Sequence, residues 1–161
     1  MLLGDTGSTE REGCKVVFKG TYEHSVDPKG RFTVPSKFRE GLGEEFVVCK
    51  GFFSPCLYAF PASVFDDISQ KMSELPLFDE DVTVIEQELY ANAADVEMDK
   101  QGKVLVPANL REFAKIDKDV VVVGTRARVE IWAREAWDNR DKNPSAFTDA
   151  MRNLRQQGVK L

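Results

Sequence analysis

Two segments of the chain carry a basic side chain four residues after an aspartate, a spacing suited to holding a cation beside a turn. Arg31 follows Asp27, and Lys103 follows Asp99. An arginine on a two-stranded ribbon can donate two parallel hydrogen bonds to guanine in the major groove of DNA, whereas a lysine is suited to phosphate. These residues therefore favour the recognition of double-stranded DNA.

The residues around each cation predict a tight turn. Residues 27–30 read Asp-Pro-Lys-Gly, which places aspartate, proline and glycine where a type I turn prefers them, and residues 99–102 repeat the pattern without the proline. We call residues 27–31 the first tip and residues 99–103 the second tip. One oxygen of Asp27 is expected to cap its turn while the other holds Arg31. The expected DNA contacts are Arg31, Lys29, Lys103, Lys100 and Lys37, and the expected structural residues of the tips are Asp27, Gly30, Asp99 and Gly102.

Other chemistries find little support among the residues. The single histidine, His24, lies on a predicted strand with no nucleophile motif beside it, so we interpret it as an ordinary strand residue. Cys14, Cys49 and Cys56 contain no CxxC pair and are interpreted as reduced structural thiols. No glycine-rich phosphate-binding loop occurs. The sequence therefore predicts no enzyme, no metal site, no cofactor and no small-molecule substrate.

An internal repeat relates the two tips. At an offset of 72 residues, positions 26–40 align with positions 98–112, and six of these fifteen positions are identical. At average residue usage roughly one identity is expected by chance. The same offset later places Phe60 over Trp132. We therefore interpret the chain as two copies of one small module.

Hydrophobic patterns predict the elements that must position the tips. Residues with high β propensity flank each turn, so each turn is expected to join two strands as a hairpin. These strands are predicted at 22–26 and 32–34 in the first copy and at 96–98 and 104–106 in the second. A Val-Pro pair after each hairpin predicts a short helix, over 35–40 and over 107–114. Continuous apolar runs predict strands buried on both faces or at a subunit contact, at 46–49, 57–60, 120–123 and 129–132.

Three further helices are predicted from apolar residues at helical spacing. Two lie between the copies, and their apolar stripes are expected to contact the core. The stripes are Val64, Phe65, Ile68, Met72 and Leu75, before Pro76, and then Val82, Ile85 and Leu89. A C-terminal helix is expected from Arg134 onward, packed on the body or on a neighbouring subunit, with residues 156–161 disordered. Its apolar residues are Trp137, Phe147, Met151 and Leu154.

The overall charge seems at first to argue against a nucleic-acid partner, because 22 basic residues oppose 27 acidic ones. The acid is concentrated, however. Between Asp66 and Asp99 there are 11 acidic residues and one basic residue, which leaves 21 basic and 16 acidic residues elsewhere. The net charge of −5 is thus a −10 segment plus a +5 remainder. We expect a solvated acidic surface that repels DNA, and tips that face it.

The organisation that follows has five segments. They are a disordered extension over 1–16, a first repeat over 17–64, an acidic helical connector over 65–88, a second repeat over 89–137, and a C-terminal helix and tail over 138–161. No run approaches the ~20 apolar residues of a membrane helix, and the N-terminus lacks a hydrophobic secretory core. A cytoplasmic protein without a membrane partner is expected.

At these residues the sequence resembles the MraZ family, whose two modules are similar to AbrB-type swapped-hairpin domains. The resemblance covers about residues 17–140 and runs through both tips, both Val-Pro pairs and the segment 129–132. It implies an α+β, β-rich fold of two pseudo-symmetric swapped-hairpin repeats with connecting helices and a C-terminal helix. It also implies a nucleoid-associated, ring-shaped homo-oligomer that regulates transcription by binding short direct repeats in the promoter of its own division and cell-wall gene cluster. Lys103 departs from the arginine of the family motif.

A second hypothesis belongs to another class of protein. In it, the chain is an oligomeric scaffold that does not bind DNA and docks a protein partner through its acidic helical face. Glu80, Asp81 and Glu86 would carry that contact.

Overall fold

The computed structural model describes residues 16–140 and 142–160. The predicted disordered extension therefore lies, except for Val16, outside the described residues, as does Cys14. Val16 packs against the hydrophobic core beside Phe18.

The strands and helices follow the 72-residue repeat. The strands are β1 (Phe18–Ser25), β2 (Arg31–Thr33), β3 (Glu45–Lys50), β4 (Leu57–Pro61), β5 (Ala94–Glu97), β6 (Lys103–Leu105), β7 (Asp119–Arg126) and β8 (Val129–Ala133). The helices are α1 (Ser36–Leu42), α2 (Ala62–Met72), α3 (Glu80–Tyr90), α4 (Ala108–Ala114), α5 (Arg134–Asp138) and α6 (Ala146–Gln156). The bounds of β2, α1 and β4 recur 72 residues later in β6, α4 and β8.

The strands form an antiparallel six-stranded sheet and a separate ribbon. The order in the sheet is β1-β7-β8-β4-β3-β5, and β2 pairs with β6 in the ribbon. The predicted hairpins are therefore wrong in their pairing, although both turns form. Across the turns, the described residues add only one isolated bridge, between Met98 and Val104. The strands exchange between copies because β1 completes its hydrogen bonds on β7 while β2 completes its own on β6. This exchange confirms the α+β fold of two swapped-hairpin repeats.

The six-stranded sheet has an apolar core on each face, which agrees with the prediction of strands buried on both sides. Alternate residues divide between the two faces, as Leu57 and Ala59 face one core and Tyr58 and Phe60 the other. The ribbon, α1 and α4 cover the first core, and α2, α5 and the end of α3 cover the second. The tips are thus carried on one face of the sheet, and the acidic helices pack on the opposite face.

The helical predictions hold in large part. In α2, Val64, Phe65, Ile68 and Met72 pack on the second core. In α3, Val82 and Leu89 are buried, but the predicted core residue Ile85 is 48% exposed. Asp79 caps α3 by accepting hydrogen bonds from Asp81 N and Val82 N, so part of the acidic segment serves the N-terminus of this helix.

The C-terminal region differs from the single helix that was predicted. It divides into α5 and α6, because Pro144 disfavours helical backbone at Asn143 before it. No residue of α6 is buried. The segment expected to be disordered instead includes the end of α6 and a closing turn, in which Val159 N donates to Leu154 O over 3.0 Å and Gly158 has a φ of +90°. None of the described helices is long and apolar enough to cross a membrane.

Candidate nucleic-acid interface

The ribbon of β2 and β6 presents one face to solvent. Phe32 pairs with Val104, its equivalent in the other copy, so the pseudo-twofold axis passes through this pair. Both side chains are buried and anchor the ribbon on the first core. Side chains alternate along a strand, so the neighbouring residues point outward. The outward face consists of Arg31, Thr33, Lys103 and Leu105.

The first tip holds its arginine through both oxygens of Asp27. Oδ1 accepts hydrogen bonds from Lys29 N at 2.9 Å and Arg31 N at 2.8 Å, and Oδ2 accepts one from Arg31 Nε at 2.9 Å. The turn is closed by Gly30 N donating to Asp27 O. Among the described residues, none accepts a hydrogen bond from the terminal nitrogens of Arg31. Asp27 therefore fixes the guanidinium by its Nε edge and leaves the other end free.

The second tip repeats the turn but not the ion pair. Asp99 Oδ1 accepts hydrogen bonds from Gln101 N at 2.9 Å and Lys103 N at 2.8 Å. Within residues 16–140 and 142–160, Asp99 forms no ion pair. Lys103 Nζ instead lies 4.0 Å from Asp27 Oδ2, across the ribbon. The carboxylate of the first tip thus faces the cations of both copies.

The charge of Asp27 is stabilised mainly by the chain around it. The backbone N–H of Arg31 contributes most to holding the pKa of Asp27 below its usual value, and the Arg31 guanidinium contributes further. Asp27 is therefore ionised at neutral pH. Together with Arg31 and Lys103 it leaves one net positive charge on the outward face of the ribbon.

Each tip also packs against an arginine of the other copy. Arg111 Nε donates to Val106 O at 2.9 Å, and Arg39 Nε donates to Val34 O at 2.8 Å. A Cβ on Gly30 would lie 2.5 Å from Arg111 Nη1, and one on Gly102 would lie 2.5 Å from Arg39 Cζ. These two glycines have φ values of +87° and +83°, which other residues rarely adopt. Arg111 therefore supports the first tip and Arg39 supports the second.

The sequence interpretation did not identify these two arginines as tip supports. It expected them to reach the surface or a carboxylate, and that expectation is wrong because their Nε atoms bind backbone carbonyls. The available signal was their identity at the 72-residue offset, which marks a requirement common to both copies.

The surroundings of the two tips differ in charge. Beside the first tip, Val26 N donates to Lys118 O, and a cavity of about 390 Å³ is lined by Lys29, Arg111 and Lys118 together with Asp27 and Asp117. Beside the second tip, Met98 N donates to Glu44 O. Lys118, which the sequence interpretation did not select, therefore adds positive charge near the first tip, whereas Glu44 brings negative charge near the second.

The remaining predicted DNA contacts lie on the surface. Lys29 and Lys100 are exposed in their turns, and Lys37 is exposed in the first turn of α1. In the part of the chain that the structure describes, none of the three forms an ion pair. No contact joins Lys37 to the tips, so the structure brings together Arg31 and Lys103 but not Lys37.

The residues set aside as structural have ordinary positions. His24 pairs with Val120 on β1. Cys49 and Cys56 are unpaired and fully buried, and burial raises the pKa of each to about 12. Among residues 16–140 and 142–160, no group of three His, Cys, Asp or Glu side chains could hold a metal ion.

A fixed guanidinium, a nearby ammonium group and a flat two-stranded ribbon are suited to binding rather than to covalent chemistry. They define a two-copy, swapped-hairpin binding protein whose cations stand on one outward face.

Comparisons with known proteins identify the family. The model described as "MraZ protein, putative antitoxin-like" matches residues 17–87 and 89–156. The chain is 46% identical over 132 residues to the transcriptional regulator MraZ of Acetivibrio thermocellus, covering 81% of this chain and 92% of that protein. It is 39% identical over 143 residues to the protein of the same name from Clostridium beijerinckii, covering 89% of this chain and all of that protein. The chain belongs to the MraZ family. It is accordingly a transcriptional regulator and not an enzyme.

Proposed function

We propose that the chain regulates transcription by binding double-stranded DNA through the outward face of the ribbon. Its targets would be short direct repeats in the promoter of its own division and cell-wall gene cluster. The protein would act in the cytoplasm, associated with the nucleoid, as a ring-shaped homo-oligomer. Several ribbons on one assembly gain affinity on repeated sites through effective concentration.

The observation that carries this proposal is the position of Arg31 on the ribbon. Asp27 holds its Nε edge, which leaves two terminal nitrogens to donate to O6 and N7 of a guanine. Lys103 stands on the same face and is suited to a phosphate oxygen. Lys29, Lys100 and Lys37 would add phosphate contacts, and Asp27, Gly30, Asp99 and Gly102 would keep the tips in shape.

The position of the acidic helices supports the same orientation. They pack on the face of the sheet opposite the ribbon, so most of the negative charge is separated from the proposed DNA surface. A whole-chain charge of −5 therefore does not oppose a locally basic contact.

The test is binding of the purified protein to its own upstream promoter DNA and to a scrambled duplex. Arg31→Ala should weaken promoter binding by about 10- to 100-fold and leave binding to the scrambled duplex less affected, because one bidentate base contact is worth about 1–3 kcal/mol. Lys71→Ala is the matched control, since Lys71 is an exposed cation on α2, on the opposite face of the sheet.

Unchanged affinity and preference in Arg31→Ala would reject base reading by this residue. Absence of any DNA binding by the wild type, together with capture of a protein partner that depends on Glu80, Asp81 and Glu86, would favour the scaffold hypothesis instead.

A further inference from the structure

An exposed apolar groove lies between the β3–β4 loop and α3, away from the tips. Phe52 is 54% exposed, Phe53 94%, Val84 59% and Ile85 48%. The groove has a volume of about 850 Å³, and Leu89 and Phe113 also line it. Large apolar side chains left in contact at a surface mark a site that another surface covers.

A second uncovered apolar surface lies on α6. Phe147, Met151 and Leu154 follow the spacing i, i+4 and i+7, so they share one side of the helix. Phe147 is 75% exposed and Leu154 40%, and no residue of α6 is buried. A three-turn helix with a bare apolar stripe has the form of a ligand for a hydrophobic groove.

The charges at the two surfaces are complementary. On α3, Glu88 lies one helical turn from Val84 and lines the groove, within a helix that also carries Glu80, Asp81 and Glu86. On α6, Arg155 lies one turn from Met151 and forms no ion pair among the described residues, whereas Arg152 is paired with Asp149 at 2.9 Å. Lys50 also lines the groove, but it is directed to Phe113, with Nζ 4.9 Å from the ring centre.

We propose that α6 of one copy docks in the Phe52–Phe53 groove of a second copy, with Arg155 beside Glu88. This inference rests on the self-association proposed above and assigns it a surface. One chain carries both halves of the contact, so the occupant is present at the concentration of the groove itself. The two halves are different patches, so the contact is head to tail and repeats from subunit to subunit until a ring closes.

The same contact explains two departures from the predicted core. Ile85 belongs to a stripe expected inside the protein, and Phe147 and Leu154 belong to a helix expected to pack on the body or a neighbour. Each is exposed in the single chain and would be buried in the assembly.

The experiment uses two full-length variants that change exposed side chains. Phe53→Glu disables the groove and Phe147→Glu disables the helix, and the high exposure of both residues means that neither change should disturb the fold. Val17→Glu is the control, because Val17 is 59% exposed outside both surfaces. Mass is measured by light scattering after size exclusion, and folding by circular dichroism.

Wild type and Val17→Glu should be large assemblies, and each of the other variants alone should be a monomer. An equimolar mixture of the two should form heterodimers and nothing larger, because only one groove and one helix remain intact in each pair. Glu88→Arg should weaken assembly, and adding Arg155→Glu should restore it.

The outcomes separate the two proposals. Variants that assemble like the wild type, or a mixture that stays monomeric, overturn this contact while an assembled wild type keeps self-association standing. A monomeric wild type overturns self-association and this contact together, and promoter binding by that monomer would still be measured through Arg31→Ala.

Discussion

At the first tip Asp27 binds the backbone of its turn with one oxygen and Arg31 with the other, whereas at the second tip Asp99 binds only backbone. Both tips keep the glycine at positive φ and the supporting arginine from the other copy. The repeat has therefore retained what its turn requires, while only one copy retains a fixed guanidinium. The difference indicates that the first tip specifies the sequence and the second positions the DNA.

The sharpest way to break this comparison is to exchange the two cations. Arg31→Lys should lower the ratio of promoter to scrambled-DNA affinity by about 10- to 100-fold, because an ammonium group cannot form the paired hydrogen bonds to guanine. Lys103→Ala should lower both affinities by similar factors. Competition titrations at one fixed salt concentration measure the ratio. An equal loss of preference in both variants would show that the tips are equivalent readers.

The supporting arginines test whether each tip depends on the opposite copy. Arg111→Ala and Arg39→Ala should each lower the free energy of unfolding by about 1.5 kcal/mol, because a charged donor to a partly buried carbonyl is lost. Only Arg111→Ala should also weaken promoter preference, since it supports the tip that carries Arg31. Urea unfolding and promoter binding are measured on the same samples. Loss of preference in Arg39→Ala alone would reverse the assignment.

A smaller effect is expected from the charges that flank the tips. Lys118→Ala should reduce DNA affinity by less than about 1 kcal/mol and lower the slope of log affinity against log salt by about 1, if Lys118 contacts a phosphate. Glu44→Ala should leave promoter preference unchanged and raise affinity slightly at low salt, because it removes negative charge beside the second tip. Titration at several salt concentrations distinguishes these changes from altered base reading. A Lys118→Ala slope equal to that of the wild type would exclude the phosphate contact.

The sequence predicted the repeat, both turns, the buried strands and the helices because each depends on local patterns. The Val-Pro helices begin one residue after the predicted start, at Ser36 and Ala108, and α2 ends before Pro76 as expected. Asp27 and Arg31 are four residues apart, so their contact also follows from local spacing.

The pairing of strands did not follow, because pairing partners are set by tertiary packing. β2 meets β6 across 72 residues, and no feature of either three-residue strand specifies that partner. The positions of Arg39 and Arg111 beneath the opposite tips are consequences of the same exchange. The exposure of Ile85, Phe147 and Leu154 was missed because an apolar stripe indicates that a surface is buried, without indicating whether the same chain covers it.

The smallest predicted effect concerns the pH dependence of the two aspartates. Because the pKa of Asp27 is lower in the folded protein than in the unfolded chain, its ionised form stabilises the fold above the ordinary value of about 4. This stabilisation is lost as the pH falls through the lowered pKa. Asp27→Asn should therefore be less stable than the wild type at pH 7, and the difference should shrink as the pH falls below about 4.

Asp99→Asn is the matched control, because the asparagine oxygen can still accept from Gln101 N and Lys103 N and no ion pair is removed. Its difference from the wild type at pH 7 should be the smaller of the two. Urea unfolding of the three proteins at pH 7, 5 and 3.5 gives both differences. If the Asp27→Asn difference did not change with pH, Asp27 would be acting only as a turn cap, and the distinction between the tips would rest on Arg31 and Lys103 themselves.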